Sequence, residues 1–391
     1  MLFAQDGHQP AEKIIKAFDN NYVQGVVLCP RGLKPEKVDL LIDIYRESHS
    51  NKTVILDPNF YVFSLPATAN IGKLNLYPYY PGFIDRKDFT SRNIVEYVQK
   101  TIDYQTEKNF DILLSPSVII PSFNSPWSQI ALQLFSESIS YKKSNSINKE
   151  LYLTLVIGEA AFREDEQFSS YLDDLTTLEC DGFYIIIERS TDSFPQWSDP
   201  TTLAKFMYLI NNLHKQGFKT IIGHTDIVGL VLKAVGADSI ANGWWKNLKQ
   251  FSRNRYFPSG FGHPKSTYTS KTLLNSIFIN PYLQQITEVN LGDKILALDG
   301  VDNILSKDPV AVRWNQEDSV LQHWKTLNEL FSEIDTLPDT VTKIASVKNR
   351  IDAAIELYRE LRMNDIEFDN SNGPAHLRVW KDALNMYESA I

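Results

Sequence analysis

Cysteine and methionine are scarce in this chain of 391 residues, with two and four of each. Cys29 and Cys180 alone cannot build a disulfide framework or a Cys-rich zinc cluster, and such thiol usage fits a reducing compartment. Long apolar runs are also missing: none approaches the roughly 18 residues that span a bilayer, so no membrane segment is expected. The opening Met1–His8 stretch has no basic residues followed by an apolar core, so no signal peptide is read there and a cytoplasmic location is expected. The 39 Lys+Arg fall short of the 48 Asp+Glu, giving a net charge of −9. Hydrophobic residues at 43% and charged ones at 22% describe a globular chain and exclude disordered, collagen-like and coiled-coil classes.

One further absence is local. No Asp or Glu occurs between Asp238 and Glu288, a stretch that carries Lys246, Lys249, Arg253, Arg255, Lys265 and Lys271. Trp244, Trp245, Phe251, Tyr256, Phe257, Phe261 and Tyr268 are interleaved with them. A basic, aromatic segment in an acidic protein focuses attraction for a polyanion. A solvated loop whose aromatics pack on the core is the competing reading.

Between about residues 22 and 255, short apolar runs alternate with amphipathic stretches. The runs are Gly25–Cys29, Thr53–Leu56, Phe110–Leu114, Leu151–Ile157, Gly182–Ile187, Lys219–Gly223 and Asp238–Ala241. They are continuous rather than alternating, as strands buried on both faces are. The intervening segments, Glu36–Glu47, Ser91–Lys108, Ser125–Ser140, Phe168–Glu179, Thr201–Gln216 and Asp226–Ala234, have helical period. Pro35 stands at a helix start, and Gly217 and Gly236 stand at helix ends. Seven such units predict a (β/α)8 TIM barrel, with a doubly wound sheet as the alternative and an eighth strand expected at Ile295–Leu298. The barrel domain is assigned to residues 1–300 and a helical C-terminal extension to 301–391. That extension has 10 Lys+Arg against 16 Asp+Glu, and helices are expected over 341–361 and 374–388, packing on their own domain or meeting a protein partner.

Polar residues collect where the runs end, which is where a barrel places its active site. Arg31 follows the first run and Asp57 the second; Ser115 and Ser117 lie near the third, and Glu159 follows the fourth. Glu188 and Arg189 follow the fifth, His224 and Asp226 the sixth, and Asn242 with Trp244 and Trp245 the seventh.

The order of motifs resembles the tRNA-guanine transglycosylase family. Val54-Ile-Leu-Asp57-Pro-Asn-Phe-Tyr-Val-Phe-Ser-Leu65 is similar to its Asp-Ser-Gly-Gly-Phe-Gln stretch, with Asp57 in the aspartate place. Leu153-Thr-Leu-Val-Ile-Gly158-Glu-Ala-Ala-Phe-Arg163 resembles the strand bearing Gln-Gly-Gly, and Cys180-Asp-Gly-Phe-Tyr184 the Phe-Asp-Gly-Tyr/Phe run. Gly236-Ala-Asp238 matches a Gly-x-Asp that precedes a strand and then basic residues. The resemblance covers roughly residues 24–255 and implies a (β/α)8 barrel that exchanges a base in nucleic acid, tRNA or DNA. The chain also departs from the family. The nucleophilic aspartate falls on Ala241, the base-recognising aspartate near Ser117, and the Gly-Gly-Leu platform on Ile186-Ile-Glu188. The family's zinc site has no cysteines here, so no metal or cofactor is expected.

Two functions follow. In the first, a divergent transglycosylase-like enzyme works on a glycosidic bond in nucleic acid, with Asp57, Glu159 and Glu188 as acid, base or nucleophile and His224 as a further base. Arg31, Ser117, Asn242, Trp244 and Trp245 would hold the substrate, and Lys246, Lys249, Arg253 and Arg255 the phosphate backbone. In the second, the barrel is catalytically silent and serves as a nucleic-acid-binding or scaffold subunit. A carbohydrate-active barrel is a third option. Carboxylates converging in a pocket would mark the enzyme, and a plugged rim the scaffold.

Overall fold

The computed structural model describes all residues except 8–10, 191–196, 259–264, 298–307, 313 and 391, and of Ala11 and Lys246 only the backbone. In chain order its first nine strands are β1 (Leu2–Gln5), β2 (Gly25–Leu28), β3 (Thr53–Leu56), β4 (Ile112–Leu114), β5 (Ile119–Ile120), β6 (Glu150–Gly158), β7 (Gly182–Glu188), β8 (Lys219–Ile222) and β9 (Ser239–Asn242). Parallel pairing runs β1–β2–β3–β4–β6–β7–β8–β9, and β9 pairs back onto β1, with Leu2 opposite Ile240. The result is a closed eight-stranded parallel barrel, and β5 only extends the far end of β6. Almost every strand residue is buried, because side chains fill the inside and helices cover the outside.

The eighth strand is therefore the N-terminal Leu2–Gln5, not Ile295–Leu298. Gly292–Lys294 form a single turn that ends at Ile295, and Leu298 lies outside the described residues. Gly25 lets β2 sit tightly here: a Cβ at that position would lie 2.8 Å from the Phe3 ring and 2.5 Å from the Thr53 carbonyl oxygen.

Helices follow the strands: α1 (Ala11–Asp19), α2 (Pro35–Ser48), α3 (Ser91–Glu107), α4 (Pro126–Ser144), α5 (Asp165–Thr176), α6 (Pro200–Lys215) and α7 (Gly229–Ala234). Pro35, Pro126 and Pro200 open their helices, and the Asp199 carboxylate caps α6 by accepting from the Thr201 amide. Gly217 and Gly236 both take positive φ just past helix ends, as their place in the sequence requires.

After β9 come a short α8 (Lys246–Lys249), a turn at Arg253–Tyr256, the hairpin β10 (Thr267–Ser270) and β11 (Asn275–Phe278), and α9 (Gln284–Glu288). The three C-terminal helices are α10 (Gln316–Asp335), α11 (Thr340–Met363) and α12 (Ala375–Ala390). α10 packs against α1, α7 and β1, so it fills the eighth helical place in the ring. Its Trp324, Leu327 and Leu330 are fully buried. Lys233 on α7 pairs with Asp335 at 2.8 Å, and Lys16 on α1 pairs with Glu317. α11 packs on α7 and α12, and α12 lies along α6. Among the described residues no helix is long and apolar enough to cross a membrane.

Candidate functional site at the barrel mouth

The polar side chains at the C-terminal strand ends are buried, which is costly unless each finds a partner. Asp57, just past β3, finds several. Its carboxylate accepts from the Asn59 amide and the Tyr61 hydroxyl, both at 2.9 Å. Asn59 takes a left-handed backbone (φ 53), which folds its side chain back to donate to Tyr61 at 2.9 Å and to accept from the Cys29 thiol at 3.1 Å. Burial pushes the Asp57 pKa up to about 6, against the pull of these hydrogen bonds and of the Arg255 charge. Across the barrel, the Tyr184 hydroxyl donates to Gln5 at 3.2 Å. Asp6, directly after β1, is fully buried, and burial raises its pKa well above the usual range against the pull of the Gly7 and Cys29 backbone.

His224 follows β8 with φ 51, a backbone conformation rarely taken by a residue other than glycine. Its ring lies against Phe251 (centroids 5.7 Å) and faces the Asn247 backbone. Burial, helped by the Arg255 charge, pulls its pKa well below 6.5, so the ring is neutral at pH 7.

The chain covers this end of the barrel itself. The Arg189 amide donates to the Phe251 carbonyl at 2.8 Å, which lays the segment after α8 along β7. The Phe251 ring meets Tyr61 edge-on (5.3 Å), and Tyr256 is buried, with its carbonyl accepting from the Asn70 amide at 2.7 Å. Arg31 straps the segment down: its guanidinium donates to the Arg255 carbonyl at 3.2 Å and lies over the Tyr256 ring at 4.9 Å. Beside His224 lies a cavity of about 20 Å³, room for about one water.

The other carboxylates are each held by a cation. Glu188 forms a two-pronged pair with Arg253, one contact being Nη2 to Oε2 at 2.6 Å. Glu159 accepts from the Ser190 amide (3.0 Å) and hydroxyl (2.9 Å) and lies 3.4 Å from the Arg189 Nε. Asp226 lies 3.6 Å from the Lys249 ammonium and 3.3 Å from His323 Nε2 of α10, and these neighbours hold its pKa well below the carboxylate range. Glu159 and Glu188 end neighbouring strands, but each is turned to its own arginine.

Several residues expected to hold substrate have structural partners instead. Asn242 is buried, donating to the Thr225 carbonyl (2.7 Å) and meeting His323 Nε2 at 3.0 Å. Trp244 is wedged edge-on against Trp324 of α10 (5.8 Å), where a base has no access, and Trp245 is half-buried. The Ser117 hydroxyl is buried and reaches only the Val118 carbonyl, at 3.4 Å. Of the basic set, Lys249 and Arg253 are committed to Asp226 and Glu188, and Arg255 donates to the Asn247 carbonyl (3.1 Å) and stacks on Tyr256 (5.5 Å). The Lys246 side chain and Phe261 lie outside the described residues. The described members therefore do not form one free cationic face.

Sequence reasoning missed Gln5, Asp6, Tyr61, Tyr184 and His323. Gln5 and Asp6 follow the same strand-end rule as Asp57 once Leu2–Gln5 is read as a strand; nothing in the sequence pointed to His323. Among the described residues no group of His, Cys, Asp and Glu is disposed to hold a metal. Against protein-family models the chain has no match, and no curated protein matches it.

Proposed function

We propose that this chain is a divergent, transglycosylase-like barrel that binds nucleic acid without exchanging bases. The covered mouth carries this reading. Phe251 packs on Tyr61, whose hydroxyl is bonded to Asp57, and with Tyr256 is buried at this end of the barrel, which argues against a base reaching Asp57. Attack on an anomeric carbon needs a lone pair, and the place of the family nucleophile holds Ala241, which is fully buried. Glu159 and Glu188 are already neutralised by arginines. The nucleic-acid part rests on the resemblance and on the acid-free stretch, in which Lys265 is exposed.

Binding of the purified protein to single-stranded DNA, duplex DNA and tRNA at two salt concentrations tests it. The expected result is salt-sensitive binding to one of the three, with a shallower salt slope when Lys246 and Lys265 are replaced by Ala. Binding to none contradicts the nucleic-acid part and leaves a protein scaffold. A second reading, glycosidic-bond chemistry, is favoured by one observation: Asp57 combines a pKa of about 6 with a donated Tyr61 hydroxyl, as an acid–base catalyst would.

A further inference from the structure

One segment covers the mouth, and its ties to the barrel lie at its two ends. Residues 251–257 form one turn, Arg253–Tyr256, between extended residues Ser252 and Phe257. Among the described residues, two main-chain bonds hold it to the barrel: the Arg189 amide on the Phe251 carbonyl (2.8 Å) and the Asn70 amide on the Tyr256 carbonyl (2.7 Å). A side chain clasps each end. Arg253 pairs with Glu188 at the end of β7, and Arg31, past β2, holds the Arg255 carbonyl and the Tyr256 ring. β7 and β2 stand opposite one another in the ring order, so the segment spans the mouth. Beneath it Asp6 and Asp57 are buried, and burial raises the pKa of both. The Cys29 thiol, buried just past β2 and bonded to Asn59, is pushed up to about 11 by burial as well.

We propose that residues 251–257 are a latch that opens as a unit while the barrel stays folded, with the Glu188–Arg253 and Arg31 clasps setting how often. Two opposed effects bring its closed and open states closer in free energy. Burial of the Phe251 and Tyr256 rings favours closure. Against it, closure strips water from Asp6, Asp57 and Cys29, and opening returns that water. The clasps that tip the balance are weak: Arg253 is half exposed, so its ion pair is screened by water and salt. Few main-chain bonds and exposed ties mark the low-stability units of a fold. The open latch gives solvent a path to Asp57, Tyr61 and Cys29. This inference goes beyond the function proposed above and needs no nucleic acid, so either can fail while the other stands.

Thiol labelling of the full chain with N-ethylmaleimide, read by peptide mass spectrometry, tests the latch. Cys29 lies under it, whereas the half-buried Cys180, just before β7, lies at the other end of the barrel and serves as the control. Arg31→Ala and Glu188→Gln should each speed Cys29 labelling about ten-fold, and about 1 M KCl should speed it in wild type. Cys180 should not respond. Val347→Ala, a core change on α11, lowers global stability and should leave the Cys29 rate unchanged. In wild type the Arg189 and Asn70 amides, which donate to the latch, should exchange hydrogen faster than the Ile186 amide of β7. If a clasp variant fails to fold, wild-type labelling and exchange decide. Cys29 labelling that ignores clasps and salt, or that Val347→Ala speeds equally, would mean opening by global unfolding alone and overturn the latch. Exchange at Arg189 and Asn70 as slow as at Ile186 would overturn it too.

Discussion

His323 crosses from α10 to the barrel. Burial with the Lys249 charge pulls its pKa down to about 4, so the ring is neutral at pH 7. With Nε2–H facing Asn242 and Asp226, its Nδ1 is left to accept from the Thr269 hydroxyl (2.8 Å), which then accepts from Ser276 (2.8 Å). His376, bonded to the Leu274 carbonyl at 3.0 Å, is pulled by burial to about 4 as well. Unfolded, both rings bind protons near pH 6.5, so the unfolded state takes up more protons between pH 6.5 and 4. Their stabilisation is complete above pH 6.5 and lost as pH falls towards 4. Asp57 has the opposite sign, since its raised folded pKa costs stability as pH rises from about 3.8 to 6. Asp6, raised in the same way, adds to that cost, but with His224 also held neutral the three histidines outweigh the two carboxylates, so denaturation midpoints should fall from pH 7 to pH 4.5, less steeply in His323→Gln. A midpoint flat across that range would contradict the buried neutral rings. Arg253→Ala makes a second residue-scale test. It strands the buried Glu188 carboxylate and, because Arg253 is half exposed, should cost about 1–2 kcal/mol. Adding Glu188→Gln should recover part of that loss in a double-mutant cycle.

At the scale of elements, what the sequence revealed depended on run length and on neighbours. Thr53–Leu56 and Gly182–Glu188 stand out because each is apolar, continuous and flanked by turn or helix signals. β1 does not: four residues at the start of the chain have no preceding turn to frame them, and barrel closure is a long-range pairing no local pattern displays. The same blindness hid Gln5 and Asp6 from the site. α10 was also unread, because its inward face mixes Gln322 and His323 with Trp324 and Leu327 and serves the barrel rather than a separate helical unit. Asp57 and His224 were legible as strand-end polars. Their partners Tyr61, Arg255 and Phe251 were not, since contact across the mouth is tertiary. If α10 is the eighth ring helix, Trp324→Ala should cost about 3–5 kcal/mol, seen as a lowered denaturant midpoint. A loss under about 1 kcal/mol would place that helix outside the cooperative core.

For the whole molecule, α10 makes the C-terminal third part of the barrel's own packing. A chain ending at residue 300 would expose the faces of α1, α7 and β1 that α10 covers, and it should lack a cooperative thermal transition. A sharp two-state transition in that fragment would show that the barrel stands without its last helix. With the ring complete, the mouth is covered, among the described residues, by Phe251 and Tyr256, and Glu188 within it is paired with Arg253. A mouth covered in this way should perform no base exchange. The most direct measurement is release or incorporation of a labelled base in tRNA and in DNA, for wild type and for Phe251→Ala, which unroofs Asp57. Wild type should show no turnover above the protein-free control; turnover that Asp57→Asn abolishes would instead establish the enzyme.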